Sequence, residues 1–213
     1  ALLSLFHVIG AILMDLNSAV AERRAVKHFD PNHKLSEAEV ANLYENALLS
    51  PTSFNIQHWR FLRITDLELR KKIREAAWDQ AQVTDAAEVV LICADVNAWK
   101  KQPGRYWRNA PQEAQDMLLP MIDGFYEGRE WIQRDEAIRS GSIAAQTLML
   151  TAKAMGYDSC PMVGFDQEKM AELVNLPEDH IFVMMVAIGK AAQPANDRGG
   201  QLPLNEVVLN NTF

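Results

Sequence analysis

Residues 50–59 read SPTSFNIQHW, a run of short hydroxyls, carboxamides and aromatics between two segments of different period. Upstream, Ser36 and Glu39 have the spacing of a capping box, in which a hydroxyl and a carboxylate three residues on cover exposed amides. Val40, Leu43, Tyr44, Ala47 and Leu48 then recur at helical spacing, and Pro51 follows the end. Downstream, Trp59 to Ile64 alternates imperfectly, as a half-buried strand does. The stretch is therefore a helix-to-strand junction. Its uncharged side chains donate and accept hydrogen bonds, which suits a polyol chain or the edge of a heterocycle. Turn chemistry accounts for them equally well, since Ser, Pro and Asn favour turns.

The same alternation of periods continues beyond the junction. Thr65 and Glu68 have the form of a second capping box, opening a helix through about Ala77. Val89 to Ala94 is a short apolar run suited to a buried strand. Residues 97–134 are punctuated by Pro103-Gly104, Pro111, Pro120 and Gly124, the pattern of an irregular cover over a site. Trp99, Tyr106, Trp107, Phe125, Tyr126 and Trp131 suit either an aromatic lid there or ordinary packing. A long helix is expected from Arg134 to Met155, burying Ile138, Ala145, Leu148, Met149 and Ala152, with Gly156 placed to end it in a left-handed cap. A strand over Tyr157–Met162, a helix over Gln167–Val174 and a strand over Ile181–Ile188 complete the core. The tail Leu202–Phe213 is too apolar for a loose end and is expected to dock. Helices and strands in irregular order, without a βαβ rhythm, make an α+β plan, with one domain over residues 15–213.

The 213 residues are 48% hydrophobic and 23% charged, the composition of an ordinary globular chain long enough to bury a sizeable core. A formal net charge of -7 argues against non-specific nucleic-acid binding, which needs a cationic face. Cys93 and Cys160 lie far apart, with no C-x-x-C, so neither a zinc site nor a disulfide framework is expected; a reducing cytoplasm fits. Residues 1–14, ALLSLFHVIGAILM, are apolar but shorter than the roughly 20 residues of a membrane span, and they lack the positive lead of a signal peptide. They read as an N-terminal extension forming a helix packed on protein, this chain or a partner subunit, with a membrane-surface role as the alternative and no stable insertion.

Against the acidic total, residues 23–29 read RRAVKHF. Guanidinium forks match phosphate geometry and a lysine adds a compact charge, so Arg23, Arg24 and Lys27 suit an anionic ligand. A solvated basic helix end is the plainer reading of the segment taken alone. No G-x-G-x-x-G, P-loop, H-E-x-x-H or G-x-S-x-G signature is present, so Rossmann, nucleotide-hydrolysing, metal and serine-hydrolase sites find no support.

Taken together, R-R-x-V-K at residues 23–27 and S-P-T-S-x-N-x-Q-H-W at 50–59 resemble the nitroreductase family of FMN-dependent oxidoreductases. Gly156–Phe165, GYDSCPMVGF, looks like that family's second flavin segment, and Gln201–Leu204, QLPL, like its C-terminal signature. The match runs in order from Asp15 to Val208.

The resemblance implies a three-layer α+β fold, with a mainly antiparallel central sheet flanked by helices and a C-terminal arm exchanged in a homodimer. It implies FMN at the subunit interface, contacted by Arg23, Arg24, Ala25 and Lys27 of one subunit, with Asp79, Gln82, Pro161, Met162 and Gly164 around the ring. Pro51, Thr52, Ser53 and Asn55 would come from the other subunit, with Gln57 supporting their loop. Ala25 stands where the family commonly has serine. Gln201 stands where it usually has a phosphate-binding arginine, leaving Arg198 as the candidate for that role. No side chain is implied as catalytic, because the chemistry belongs to FMN N5. NADH or NADPH would be the donor, and nitroaromatics, quinones or similar electron-poor molecules the acceptors, in ping-pong fashion. A non-catalytic flavin-binding sensor or storage protein is the alternative. Cys160 reads as a small buried residue rather than a redox thiol.

Overall fold

The computed structural model describes residues 14–213, so the expected helix over residues 1–14 lies, Met14 apart, outside the described residues. Helix α1 (Leu16–Glu22) is capped by Asp15, whose carboxylate accepts from the amides of Asn17 and Ser18. Helix α2 (Glu37–Ala47) opens on the expected capping box, with both the Ser36 and the Glu39 bonds formed. Strand β1 (Trp59–Arg63) follows the junction. Helix α3 (Leu67–Ala76) starts one residue later than the Thr65 box required. Asp66 caps it by accepting from the Leu69 amide, and a carboxylate one residue nearer the helix outcompetes the threonine hydroxyl.

A single turn, α4 (Gln82–Asp85), leads into strand β2 (Glu88–Asp95), buried along its whole length. The cover then forms 3-10 turns at Ala98–Lys100 and Pro103–Tyr106, and helix α5 (Gln112–Tyr126). Here Pro120 and Gly124 do not punctuate; both sit inside α5. Ile122 and Tyr126, one turn apart and wholly buried, anchor the helix strongly enough to carry them. Helix α6 (Glu130–Ala154) begins four residues before the expected Arg134. Gly156, at φ 85°, ends it in the left-handed region. Strand β3 (Asp158–Met162), helix α7 (Gln167–Val174), strand β4 (His180–Gly189) and the short helix α8 (Leu204–Val207) complete the order.

The strands form one antiparallel sheet in the order β1-β2-β4-β3. Because side chains alternate, β2 feeds two cores. Val89, Leu91 and Cys93 join Cys160, Met162, Met185 and Ala187 beneath α3 and α7. Val90 and Ile92 join Val186 and Ile188 beneath α2 and α6. This is the expected three-layer arrangement. A third cluster, with Ile56, Trp99, Ile122, Tyr126 and Ile132, holds the cover to the end of the sheet. The tail beyond Leu202 finds no seat among the described residues: Leu202, Leu204, Val207, Val208, Leu209 and Phe213 all remain exposed.

Candidate active site

The basic stretch leaves α1 and runs beside β3, where Ala25 bridges to Ser159 in parallel fashion and the Val26 amide donates to the Ser159 carbonyl at 3.0 Å. Val26 and Phe29 are buried, so Ala25, Lys27 and His28 face outward. Lys27 Nζ reaches the Sγ of Cys160 at 3.5 Å, and Gln82 Nε2 approaches the same sulfur at 3.8 Å. Gln82 Nε2 also donates to Gln80 Oε1 at 3.2 Å, and Gln80 Nε2 donates to the Gly164 carbonyl at 2.9 Å. Lys27, Gln82 and Gly164 are thereby linked through Cys160 and Gln80, and Pro161 and Met162 follow Cys160 on β3.

Arg198 folds back onto the same stretch, its Nη2 donating to the carbonyls of Ala21 at 2.9 Å and Arg23 at 3.3 Å. Arg24 Nη2 donates to the Asn196 carbonyl. Asp79 sits at the rim of this face in left-handed backbone, and its carboxylate accepts from Arg74 Nε at 2.6 Å. Gln80, beside Asp79, and Trp78, which no motif marks, also lie here. Gln80 holds the Gly164 carbonyl, and Trp78, left-handed at φ 54°, lies over Gly164. A Cβ on Gly164 would stand 2.8 Å from Trp78 Cζ3, so a side chain there would have to displace the exposed indole.

Pro51, Thr52, Ser53 and Asn55 form a second group before β1. Ser50 Oγ donates to Thr147 Oγ1 at 2.8 Å and His58 Nδ1 lies 3.0 Å from Ser140 Oγ, so both ends of the loop are pinned to α6. Gln57 supports the loop as expected: its amide donates to Thr52 Oγ1 at 3.1 Å and its Nε2 to the Asn55 carbonyl at 3.2 Å. A cleft of about 730 Å³ opens alongside, carrying Arg60, Arg63, Arg105 and Arg108 beside Asn55 and Tyr106. Arg63 is committed to the buried Glu88, with Nε 2.7 Å from Oε1. Arg60 Nη1 donates to the Trp59 carbonyl at 2.7 Å.

The sheet register fixes how far apart the two groups lie. Cys160 pairs with Ala187, and Ala187 with Val89, whereas Trp59 pairs with Ala94. Lys27 and its neighbours therefore stand at one corner, and the loop at the diagonally opposite corner. Three inter-strand steps across and five residues along amount to roughly 20 Å. One copy of the chain does not bring its own two groups together.

Elsewhere, Asp95, Asp179 and His180 cluster closely enough to suggest metal ligands. Lys101 Nζ already lies between the carboxylates, 2.7 Å from Asp95 and 2.5 Å from Asp179, and supplies the positive charge. Its hydrogen bond and that of His180 hold the Asp179 carboxyl down at about 2. Among the described residues no helix is long and apolar enough to cross a membrane.

The model of the nitroreductase family matches residues 20–190. Protein DrgA of Synechocystis is 54% identical over 200 residues, spanning 92% of this chain and 95% of that protein. MhqN of Bacillus subtilis, provisionally named an NAD(P)H nitroreductase, is 32% identical over 203 residues, spanning 92% of this chain and 98% of MhqN. A structure from Exiguobacterium sibiricum in complex with FMN superposes with a TM-score of 0.84 at 31% identity, over 92% of this chain and 96% of that one.

Proposed function

The chain belongs to the nitroreductase family, and on that premise we propose that it is an FMN-dependent oxidoreductase drawing on NADH or NADPH. When bound, FMN supplies hydride and electron transfer to and from flat molecules. The residues present fit that group. Arg23 makes no ion pair among the described residues, and Lys27 meets a sulfur rather than a carboxylate. Two cations are thus free for a phosphate and for the electron-rich edge of a ring.

The observation that carries the reading is the diagonal separation of the two residue groups on one sheet. We read each as half a site, completed in a homodimer. Arg23, Arg24, Lys27, Gln82, Pro161, Met162 and Gly164 of one copy would face Pro51, Thr52, Ser53 and Asn55 of the other. Asp79 and Arg198 stand at the margins of the first half, each held by a neighbour that a ligand would have to share or displace. Ala25 offers no hydroxyl, so the phosphate grip falls to the guanidinium groups and backbone amides. The exposed apolar tail supports an arm laid on the second copy.

No acid, base or nucleophile is assigned. The chain's part is to fix the planar cofactor, place a cation at its edge and leave one face open. A single open face serving donor and acceptor in turn gives ping-pong kinetics and favours nitroaromatics, quinones or similar electron-poor acceptors. Anaerobic titration of the purified protein with NADH and with NADPH tests this. Bleaching of the oxidised-flavin absorbance, reversed by a quinone, is expected. Flavin that stays oxidised would return the protein to the sensor or storage class.

A further inference from the structure

The loop before β1 holds three non-glycine residues in left-handed backbone: Phe54 at φ 50°, Asn55 at 54° and Gln57 at 53°. Asn tolerates this region, but a bulky aromatic such as Phe54 meets its own backbone there. Such a conformation persists only where the surroundings over-determine it, and it gathers at functional sites. Here the surroundings are two consecutive residues of the cover. Trp107 Nε1 donates to the Phe54 carbonyl at 2.9 Å, and Asn55 Nδ2 donates to the Tyr106 carbonyl at 2.8 Å. Hydrogen bonds therefore run both ways between the segments. Tyr106 is itself fixed, its hydroxyl donating to the Ala98 carbonyl at 3.1 Å and accepting from Arg105 Nη2 at 2.9 Å. The Phe54 ring packs against Phe125 and Tyr126, with centroids 5.5 and 6.3 Å away.

We propose that Trp107 is a positioning residue. Its indole N–H locks Phe54 and Asn55 in the left-handed backbone that presents Thr52, Ser53 and Asn55 to the cofactor. The aromatic cover and the loop half-site then move as one unit, and a residue assigned no flavin contact sets flavin affinity. This rests on reading the loop as half of an FMN site. Trp99 provides an internal contrast. It packs in the same cluster, but its Nε1 is buried without a hydrogen-bond partner in the described structure.

The full chain, its Trp107→Phe variant and its Trp99→Phe variant test the lock by two readouts. Hydrogen exchange of residues 52–58 is followed in flavin-free protein, with β2 and β4 as the internal reference, and the FMN dissociation constant is measured by flavin fluorescence. Trp107→Phe should speed exchange at Asn55, Ile56 and Gln57 and weaken FMN binding, each by roughly three- to tenfold, as loss of one hydrogen bond implies. The sheet strands should exchange as before. Trp99→Phe should leave both readouts at the wild-type level. Unchanged loop exchange in Trp107→Phe overturns the proposal, and so does equal loosening by Trp99→Phe, which would mean that cluster packing alone holds the loop. Failure of the wild-type chain to bind FMN would sink the half-site reading, while the exchange data would still decide whether Trp107 locks the loop.

Discussion

Lys27 Nζ stands 3.5 Å from the Sγ of Cys160, a residue with no exposed surface, so the ammonium is steadied by a polarisable sulfur and not by a carboxylate. A carboxylate in that place would largely cancel the charge at short range. A sulfur leaves it able to act on a reduced, electron-rich ring. Lys27→Met should therefore shift the flavin midpoint potential to more negative values, by about 30 mV for each 1.4 kcal/mol of lost interaction. A redox titration against a reference dye reads the shift. A potential equal to wild type would remove Lys27 from the ring edge.

Arg23 tests the other end of the cofactor. A charge-assisted phosphate contact contributes about 1.5–3 kcal/mol, so Arg23→Ala should weaken FMN binding by roughly ten- to a hundredfold. Fluorescence titration of the apoprotein measures it. If FMN is retained as in wild type, the stretch goes back to being a solvated helix end.

Much of this was legible before any coordinates, and the parts that were not share a cause. Helix α7 and the Ser36–Glu39 cap follow from local chemistry, periodicity in one case and two reciprocal hydrogen bonds in the other. Their determinants lie within a few residues of one another. Pro120 misled because its helix is held by tertiary packing, with Ile122 and Tyr126 buried against Ile56, Trp99 and Ile132. The residues proposed for both half-sites, and their division between two copies, came from the family resemblance alone. Their distance apart on one chain could not be read from sequence, because it follows from strand order and register, which only the folded sheet fixes. Trp78 went unread, and Trp107 was read only as a lid or packing residue, for a related reason. Nothing local marks a tryptophan as left-handed, or an indole N–H as aimed at a carbonyl 53 residues away.

His58 makes stability depend on pH. It is buried at the foot of the loop, and burial pushes its imidazole down to about 4, with Arg60 acting in the same direction and Asp95 opposing. The unfolded chain takes up that proton near the ordinary value of about 6.5. Stability from this group is therefore fully present above pH 6.5, falls as the pH drops toward 4 and levels off below. The loss amounts to about 3 kcal/mol at most. Urea midpoints at pH 7.5 and pH 4.5 should differ more for wild type than for His58→Gln. Equal acid sensitivity in the two proteins would assign the effect to other groups.

Gly141 is a packing site inside α6. A Cβ there would stand 2.6 Å from Val183 Cγ2, across the contact between α6 and β4. Helix propensity alone favours Gly141→Ala by up to about 1 kcal/mol. Overpacking costs about 1–3 kcal/mol and should win, because Val183 is β-branched and has few rotamers into which to retreat. Urea denaturation is expected to show net destabilisation. A more stable Gly141→Ala protein would mean that the helix can lift from the sheet at little cost.

The tail bears on assembly. Leu204, Val207, Val208, Leu209 and Phe213 are exposed on their own chain, yet α8 is formed within this segment. A helix of one turn has no stability of its own in water, so it calls for a supporting surface beyond the described residues. The tail also departs from the side of the chain where Arg198 is tied to the backbone of Ala21 and Arg23. In the proposed dimer that side meets the second copy's loop, so the tail would leave directly onto its partner. Burying a Leu or Val side chain contributes about 1.5–3 kcal/mol. Truncation after Leu202 removes several such side chains and should raise the dimer dissociation constant by roughly two orders of magnitude or more. Sedimentation equilibrium reads this directly, and FMN retention should fall with it, because in the proposed dimer each site draws on both copies. A truncated protein that stays as dimeric as the full chain would show that the arm is not what joins them.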